Sequence, residues 1–461
     1  MKKSVLVLLS LSMFMITCGD DDNGPTQPQT LEQRLSALPG ATVTEILPPD
    51  GFDRTFEIAL PQPVDHDNPS GQQFSQRIII SHRDESAPTV FVTSGYMVTR
   101  NRIHPIAELL GANQVYIDHR YFDDAAPSPI VWEHLNVVQA AADCNRVVQL
   151  LTPIYTGPWI SHGVSKGGIA ALFYRRYYPD DVDATVAQVA PLMFDTADTR
   201  FDDFLLSEVG DADCRDRIIR FQRLVLSRRD SLLPLFEDYA TQHQLDFRLG
   251  LGTTLELNTL EFMFYYWQYG PHDCTTIPDS TSSTQELFDY LQAENGIDWL
   301  QDEDMDRLVP AWYQIYTEQG YYRLIDDHVS DLLESPVYLS YSLFFPDGAS
   351  RSYSSARVHD LVQWLQTEGD NILYIYGEID PYTACSMELT GGANALKIIL
   401  PNEGHLAGYN GFGQFTAEVH DSLESWLGVT IDDNPPVLTV DRQELIRAMR
   451  GLDARQSAIT Y

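Results

Sequence analysis

Three residues that lie far apart in the chain are of the types, and in the order, that a hydrolytic enzyme needs for nucleophilic catalysis. Ser165 lies in the sequence Gly-Val-Ser-Lys-Gly-Gly, Asp380 in Glu-Ile-Asp-Pro and His405 in Glu-Gly-His. A serine hydroxyl is a weak nucleophile at neutral pH, so it needs a histidine as general base and a carboxylate that orients the imidazole. These side chains together predict acyl transfer through a covalent intermediate.

The residues around Ser165 predict the local geometry that such a nucleophile requires. An apolar stretch begins at Trp159, a glycine-bounded turn holds Ser165, and an Ala-rich run follows. Glycines on both sides let the backbone cross closely without a Cβ clash, and a helix N-terminus favours negative charge. This strand–turn–helix is typical of the nucleophile elbow of an α/β-hydrolase, whose triad follows the chain order serine, acid, histidine.

The acid and the base are predicted on loops that follow the last two strands of the sheet. Asp380, a short turn beyond the first of these strands, is the preferred acid, and Glu378 is the alternative. His405 follows the final strand, which none of the eleven other histidines does in the required order. His162 precedes the serine and points to the other face of its strand, so it is interpreted as structural.

The elements that must position these residues alternate as in a parallel, doubly wound sheet. Alternating apolar patterns predict antiparallel edge strands within residues 41–82. Apolar runs at residues 89–93, 114–118 and 184–190 predict buried strands that are separated by helical patterns. A long, mostly helical stretch then interrupts this alternation. We predict the α/β class: an α/β-hydrolase with a doubly wound, mostly parallel sheet and an inserted helical cap domain.

The predicted domain boundaries follow from these changes of pattern. In chain order we expect a signal peptide with a lipobox (1–18), a linker (19–30), the first part of the hydrolase core (31–193), the helical cap (194–353), the second part of the core (354–430) and a C-terminal extension (431–461). Within the cap, residues 215–239 have one continuous helical pattern, which predicts a single helix.

The tetrahedral intermediate of acyl transfer needs two backbone N–H donors. The residue after the nucleophile, Lys166, supplies one of them. The loop after an early strand supplies the other, with Tyr96 as first choice and Gly95 as second. The Lys166 ammonium is expected either in solvent or in a salt bridge to the cap, with no part in proton transfer. The chemistry requires no metal and no organic cofactor.

The charge of the chain excludes some classes of partner. Lysine and arginine total 30 against 66 acidic residues, a formal net charge of −36. Such a chain repels nucleic acid and anionic lipid headgroups, so no nucleic acid partner is expected. The same charge attracts a cationic group, such as the free amino terminus of a peptide, although an acidic surface also serves solubility alone.

The N-terminal residues predict export and attachment to a membrane by a lipid. Two lysines are followed by an apolar run at residues 5–16 and then by Cys18, in a sequence resembling a bacterial lipobox. We therefore expect a secreted or cell-envelope protein anchored through lipid on Cys18, with an acidic tether that suits surface exposure. Four cysteines remain, and the sequence leaves all three full disulfide pairings open: Cys144, Cys214, Cys274 and Cys385.

A further set of motifs supports a resemblance to a known family. They are Thr-Ser-Gly-Tyr at 93–96, Asp-His-Arg-Tyr-Phe at 118–122, Trp-Ile at 159–160, Gly-Val-Ser-Lys-Gly-Gly at 163–168, Tyr-Tyr-Pro-Asp-Asp-Val-Asp at 177–183, Arg-Phe-Asp-Asp-Phe at 200–204 and Tyr-Gly-Glu-Ile-Asp-Pro at 376–381. Over about residues 30–427 the chain resembles the S37 family of serine peptidases, the PS-10 type. Related prolyl carboxypeptidases and dipeptidyl peptidases have Glu where this chain has Asp118.

The resemblance implies a prolyl tri/tetrapeptidyl aminopeptidase-like enzyme. Such an enzyme removes short peptides, commonly tripeptides and often after proline, from unblocked amino termini of oligopeptide substrates. Acidic residues at the start of the cap are candidates for binding the substrate ammonium: Asp202, Asp203 and Glu208. Aromatic residues of the cap could form a pocket for a proline ring: Phe264, Tyr265, Tyr266 and Trp267.

Two alternatives remain open from the sequence alone. An esterase or lipase could use the same triad on an ester. A non-catalytic surface binding protein on a hydrolase scaffold would have no need of all three triad residues. The preferred residue before the cleaved bond, the length of the released peptide and the oligomeric state are not given by the sequence.

Overall fold

The computed structural model describes residues 29–122, 125–270, 273–335 and 340–432. Within them, nine strands form one sheet: β1 (Thr42–Ile46), β2 (Arg54–Pro63), β3 (Gln73–His82), β4 (Thr89–Thr93), β5 (Asn113–Ile117), β6 (Trp159–Val164), β7 (Ala184–Gln188), β8 (Ile372–Gly377) and β9 (Ala395–Leu400). Their order is β1-β2-β3-β5-β4-β6-β7-β8-β9. The pairings among β1, β2, β3 and β5 are antiparallel, and every pairing from β5 to β9 is parallel.

Helices cover both faces of this sheet. They are α1 (Leu31–Ser36), α2 (Pro105–Leu109), α3 (Val137–Leu151), α4 (Lys166–Tyr177), α5 (Arg200–Asp203), α6 (Ala212–Ser227), α7 (Arg229–His243), α8 (Leu251–Gln268), α9 (Thr284–Asn295), α10 (Asp302–Arg307), α11 (Val309–Gln314), α12 (Ala356–Thr367) and α13 (Thr416–Leu427). The predicted α/β-hydrolase class is confirmed, because helices connect parallel strands whose side chains are buried on both faces.

The helices α5 to α11 all lie between β7 and α12, where the helical cap was expected. Helices α5 to α9 share one hydrophobic cluster with the sheet helices, so that Phe173 of α4 packs in the same cluster as Phe201 and Phe262, while α10 and α11 pack in a second cluster with Phe122. The helical part therefore lies on the sheet as part of a common core and does not form an independent one. The domain boundaries themselves stay predictions.

The expectation of one helix over residues 215–239 is wrong. The chain forms α6 and α7 instead, with a break at Arg228, whose φ of −107° and ψ of 18° are not helical. The Arg228 guanidinium donates to the carbonyl oxygens of Ser280 and Ser282. Apolar periodicity continues across the break, so sequence pattern alone does not reveal it.

A disulfide joins Cys214 at the start of α6 to Cys274 in the turn after α8. This pairing is one that the sequence left open, and Cys144 and Cys385 are free and buried. Over the described residues, no helix combines the length and the apolar character needed to cross a membrane. The lipobox with Cys18, and the C-terminal extension from residue 433 onward, lie outside the described residues.

Candidate active site

Ser165 lies at the junction of β6 and α4, in the strained turn that the sequence predicted. Its φ of 56° and ψ of −125° are unfavourable for a residue with a side chain. The close crossing requires glycine on both sides: a Cβ on Gly163 would lie 2.1 Å from the Gly167 carbonyl oxygen, and one on Gly167 would lie 2.5 Å from that of Thr93. This strained turn holds Ser165 at the carboxyl end of the parallel strands.

His405 and Asp380 form a buried pair on the loops after β9 and β8. His405 Nδ1 lies 2.7 Å from Asp380 Oδ2, and the two residues are 2% and 0% exposed. The Tyr382 N–H donates to the other carboxylate oxygen at 3.2 Å, and the His405 backbone N–H donates to the Gln268 carbonyl at 2.7 Å. An Nδ1 proton directed at the carboxylate leaves Nε2 as the acceptor that a general base needs.

The alternative acid, Glu378, is exposed and points elsewhere. Its carboxylate accepts a hydrogen bond from the Asn402 N–H at 2.9 Å. It therefore caps the turn after β9 and makes no contact with His405. The chain turns between Glu378 and Asp380, since the Asp380 N–H donates to the Gly377 carbonyl at 3.2 Å.

Ser165 and His405 both line one cavity of about 330 Å³ under the helices of the cap. Ten of the residues that line it are tyrosines or tryptophans, including Tyr96, Tyr265, Trp299, Trp312, Tyr322 and Tyr382. Of the predicted aromatic pocket, only Tyr265 is in this wall, while Phe264, Tyr266 and Trp267 pack into the hydrophobic core. Aromatic density marks the region in sequence, but it does not reveal which rings face the cavity.

The predicted oxyanion donors lie close to Ser165. Lys166 is the first residue of α4, where backbone N–H groups have no partner within the helix. The Gly95 backbone packs against this helix start, since a Cβ on Gly95 would lie 2.6 Å from the Gly167 nitrogen. The Tyr96 N–H donates to the Ser94 hydroxyl at 3.2 Å. Lys166 and the Gly95–Tyr96 segment, which hold the three candidate donors, thus lie next to the turn that carries Ser165, and the Tyr96 N–H has a partner within the protein.

Two residues of the Asp-His-Arg-Tyr-Phe motif hold the loop that carries Tyr96. Asp118 Oδ1 accepts from the Val98 N–H at 2.5 Å, and Asp118 Oδ2 accepts from Arg77 Nε at 3.0 Å. The His119 N–H donates to the Tyr96 carbonyl at 2.9 Å. The Asp-His pair after β5 is therefore a support for the loop after the neighbouring strand β4.

The Lys166 side chain does not point to solvent, which was one of the two expectations. It is 4% exposed, and its ammonium donates to the Gly95 carbonyl at 2.9 Å and to Gln314 Oε1 on α11 at 2.7 Å. Its contact with the cap is a hydrogen bond to an amide and not a salt bridge. Burial lowers the pKa of the Lys166 ammonium to about 7, against an opposing effect of Glu318.

The acidic residues proposed from sequence for ammonium binding do not line the cavity. Asp202 pairs with Arg323, whose Nε lies 2.6 Å from Asp202 Oδ2. Asp203 and Glu208 are exposed on the surface. The structure thus does not bring these three residues together with Ser165, because the short helix that carries Asp202 packs against the chain after α11.

Two other acidic residues near the cavity were missed in the sequence. Asp304 on α10 is 6% exposed and is the one carboxylate among the described residues that line the cavity. Glu261 on α8 is fully buried behind the wall and accepts hydrogen bonds from the Tyr322 and Tyr341 hydroxyls. Burial raises the pKa of the Glu261 carboxyl to about 7, and the two hydroxyls oppose this shift. The only signal for Glu261 in the sequence is that a glutamate occurs within an apolar stretch of a helical pattern.

His162 lies beneath the elbow and has no part in the cavity wall. It is fully buried, its Nε2 lies 3.3 Å from Gln188 Oε1, and its ring centre lies 3.8 Å from that of His104. Burial lowers the pKa of His162 to about 4, so the imidazole is neutral at physiological pH. Its placement agrees with the structural interpretation.

The chain is similar to known peptidases. A family model described as PS-10 peptidase S37 matches residues 26–454, a range that contains Ser165, Asp380 and His405. The chain is 32% identical over 407 residues to the prolyl tri/tetrapeptidyl aminopeptidase of Streptomyces mobaraensis, an alignment that covers 86% of this chain and 85% of that protein.

Two solved structures are also similar at low sequence identity. The proline iminopeptidase of Mycobacterium smegmatis is 13% identical with a TM-score of 0.40, covering 80% of this chain and 98% of that one. A proline iminopeptidase-related protein of Thermus thermophilus is 13% identical with a TM-score of 0.38, covering 81% of this chain and 99% of that one.

Proposed function

The chain belongs to the S37 family of serine peptidases, and we propose that it is an aminopeptidase that releases short peptides from the free amino termini of oligopeptides. The observation that carries the proposal is the 32% identity to a prolyl tri/tetrapeptidyl aminopeptidase over most of both chains. The released fragments are expected to be tripeptides for the most part, often ending in proline.

The proposed reaction uses Ser165, His405 and Asp380 in the roles that their positions suit. The Ser165 oxygen attacks the carbonyl carbon of the cleaved bond while His405 Nε2 takes the hydroxyl proton. His405 then gives that proton to the departing amine, which leaves the released peptide as an ester on Ser165. Water, deprotonated by His405, attacks the ester and frees the peptide. Asp380 keeps the imidazole in the required tautomer and stabilises its charged form.

The shape of the cavity supports an exopeptidase. Its volume of about 330 Å³ is at the small end of the range for ligand sites, and cap helices cover it. A few residues of an extended chain end fit such a space, whereas a folded protein does not. Aromatic rings such as Trp299 and Trp312 supply apolar area for a proline ring.

For recognition of the substrate ammonium we propose Asp304 in place of the three carboxylates suggested by sequence. Asp304 is buried and lines the same cavity as Ser165. A carboxylate that is shielded from water attracts an ammonium more strongly than a solvated one does. Its position supports selection for peptides whose amino terminus is free.

We also propose that the protein is exported and anchored through lipid on Cys18. The sequence of the first 18 residues supports this, and the Cys214–Cys274 disulfide suits an oxidising compartment. The test is the mass of the mature N-terminus in the native host, together with its distribution between membrane and soluble fractions. Cys18→Ala should abolish the lipid and release the protein, whereas a mature chain that begins elsewhere without lipid contradicts the proposal.

Mass spectrometry of oligopeptides before and after incubation tests the peptidase activity. Wild type should shorten free peptides from the amino end by short fragments and leave the N-acetylated versions intact. Ser165→Ala should abolish both this release and labelling by a fluorophosphonate probe, whereas Ser207→Ala, at an exposed serine of the cap, should change neither. Cleavage of the acetylated peptides, or hydrolysis of p-nitrophenyl esters alone, would contradict the proposal.

A further inference from the structure

The buried Lys166 side chain is a charge that the proposed reaction does not use. Lys166 and Lys397 are the two lysines in the described residues, and Lys397 lies on β9 in an ion pair with exposed Glu388. Lys166 is 4% exposed, and among the described residues no carboxylate lies within ion-pair distance of its ammonium. Burying a cation without a direct counter-ion is energetically costly, so the two groups that accept its hydrogen bonds are what stabilise it.

The first acceptor is the carbonyl of the peptide unit whose N–H belongs to Tyr96. The Lys166 Nζ lies 2.9 Å from the Gly95 oxygen. A peptide unit is planar and trans, so its oxygen and its N–H hydrogen point in opposite directions. Fixing the Gly95 oxygen therefore fixes the direction of the Tyr96 N–H. In its protonated form, the donor on the oxygen also polarises the peptide and strengthens its N–H as a donor.

The second acceptor belongs to the cap. Gln314 at the end of α11 is fully buried, accepts from Lys166 Nζ at 2.7 Å and donates to Glu318 Oε1 at 3.3 Å. Glu318 lies in the π-helical turn Ile315–Gln319 and also accepts from the Val137 N–H at the start of α3 at 2.9 Å. Arg357 of α12 lies 2.8 Å from the other Glu318 oxygen. The Lys166 ammonium is thus linked by the Gln314 amide to Glu318, whose carboxylate contacts α3 and α12.

Aromatic rings complete the enclosure of the ammonium. The Lys166 Nζ lies 5.6 Å from the centre of the Tyr96 ring and 5.8 Å from that of Phe122. Both distances are within the range of a cation–π contact. The cation therefore contacts both the backbone and the side chain of the loop that carries the second oxyanion donor.

We propose that the Lys166 side chain is a positioning residue for the oxyanion hole. It fixes the Gly95–Tyr96 peptide unit so that the Tyr96 N–H is directed at the developing oxyanion. The hydrogen bond from Lys166 to Gln314 makes this arrangement depend on the packing of the cap against the sheet. The Tyr96 N–H exchanges its Ser94 partner for the substrate oxygen when the tetrahedral intermediate forms. This inference rests on the proposed acyl transfer at Ser165.

The test is Lys166→Met, which keeps the length of the side chain and removes the charge and the donor. We expect kcat on a tripeptidyl p-nitroanilide to fall about 100-fold, comparable with the loss of one oxyanion donor, with KM changed less than about threefold. The affinity for a peptide boronate that mimics the tetrahedral intermediate should fall in parallel with kcat. The affinity for the same tripeptide as its C-terminal carboxamide should stay within about threefold, because the carboxamide presents a neutral carbonyl oxygen at that position.

Matched variants separate this role from a purely structural one. Lys397→Met removes the other described lysine and should leave kcat and KM within about twofold of wild type. A kcat within about threefold of wild type in Lys166→Met, or equal losses of boronate and carboxamide affinity, would overturn the proposal. If Lys166→Met does not fold, Gln314→Met takes its place, with an expected loss of kcat of about tenfold at constant KM, and an unchanged kcat there would overturn it equally.

Failure of the aminopeptidase proposal is distinguishable from failure of this inference. Hydrolysis of a p-nitrophenyl ester also passes through an oxyanion at Ser165, whether or not the enzyme cleaves peptides. A wild type that hydrolyses only the ester contradicts the proposed function. The ratio of ester kcat in wild type to that in Lys166→Met still measures the contribution of the lysine.

Discussion

The imidazole of His405 and the carboxylate of Asp380 lie 2.7 Å apart, and both side chains are almost fully shielded from water. Their loops follow adjacent parallel strands, which end at the same edge of the sheet as the strand before Ser165. A hydrogen bond in such a shielded place is electrostatically stronger than in water, so it fixes the imidazole firmly.

Asp380→Asn should lower kcat by about 10⁴ while the fold is retained. The amide cannot hold His405 in the tautomer with the proton on Nδ1, so Nε2 loses its role as acceptor. Steady-state kinetics on a prolyl-peptide anilide measures the effect. Glu378→Gln, at the exposed neighbour that caps the next turn, should leave kcat within about twofold. A larger loss from Glu378→Gln than from Asp380→Asn would contradict the assignment of the acid.

Asp304→Asn should raise KM for peptides with a free amino terminus by about 10- to 100-fold, which corresponds to the loss of one hydrogen bond between charged groups. The rate constant for bond cleavage should change much less, since Asp304 is expected to contact the ammonium and not the reacting carbonyl. Asp306→Asn, on the same helix but exposed and paired with Arg248, is the control. An equal KM increase in both variants would point to a general effect of surface charge.

Glu261 should make the stability of the protein fall as pH rises from about 4.5 to about 7. The unfolded chain loses the Glu261 proton near pH 4.5, whereas the folded protein retains it to about 7, so deprotonation favours unfolding within this window. A shift of this size corresponds to about 3 kcal/mol. Above pH 7 the loss is complete, and below pH 4.5 it is absent.

Urea unfolding of wild type and Glu261→Gln at pH 4.5 and pH 8 measures this contribution. The difference in unfolding free energy between the two proteins should change by about 3 kcal/mol between those pH values, in favour of the glutamine variant at pH 8. The comparison removes the contributions of other titrating groups that both proteins share. A pH-independent difference would show that the carboxyl titrates at its ordinary value.

Arg120→Met should destabilise the protein by about 3–5 kcal/mol, because it leaves the buried Asp143 carboxylate without its main partner. Arg120 is fully buried, and its guanidinium binds both Asp143 oxygens, at 2.8 and 2.9 Å. Urea unfolding gives the value. Arg54→Met, which breaks the more exposed pair with Glu45, should cost much less. Similar losses in both variants would contradict the argument from burial.

Much of the site could be predicted because its residues occur in local patterns. The strand–turn–helix around Ser165 is encoded within about a dozen residues, and the order of acid and base follows from which strands come last. The S37 resemblance, seen in such motifs, is confirmed by the family match over residues 26–454. The identities of Asp380 and His405 needed only their places after predicted strands.

The parts that could not be predicted depend on contacts between distant residues. Lys166 meets Gln314 across 148 positions of sequence, and Asp202 meets Arg323 across 121. The pattern of residues around each partner is the same whether its side chain lies in solvent or in a buried network. The expected helix over residues 215–239 failed for the same reason, since the carbonyl groups that Arg228 binds at its break lie 52 and 54 positions away.

The sequence by itself determined the class of fold and the elbow and named the three residues proposed for catalysis, because hydrophobic period, glycine placement and chain order act locally or along the chain. Only the tertiary structure decided which carboxylate enters the cavity, which aromatic rings form its wall and where the Lys166 charge is held. Those outcomes depend on how the cap helices pack on the sheet, and packing is a property of surfaces that are distant in sequence and meet only in the folded chain.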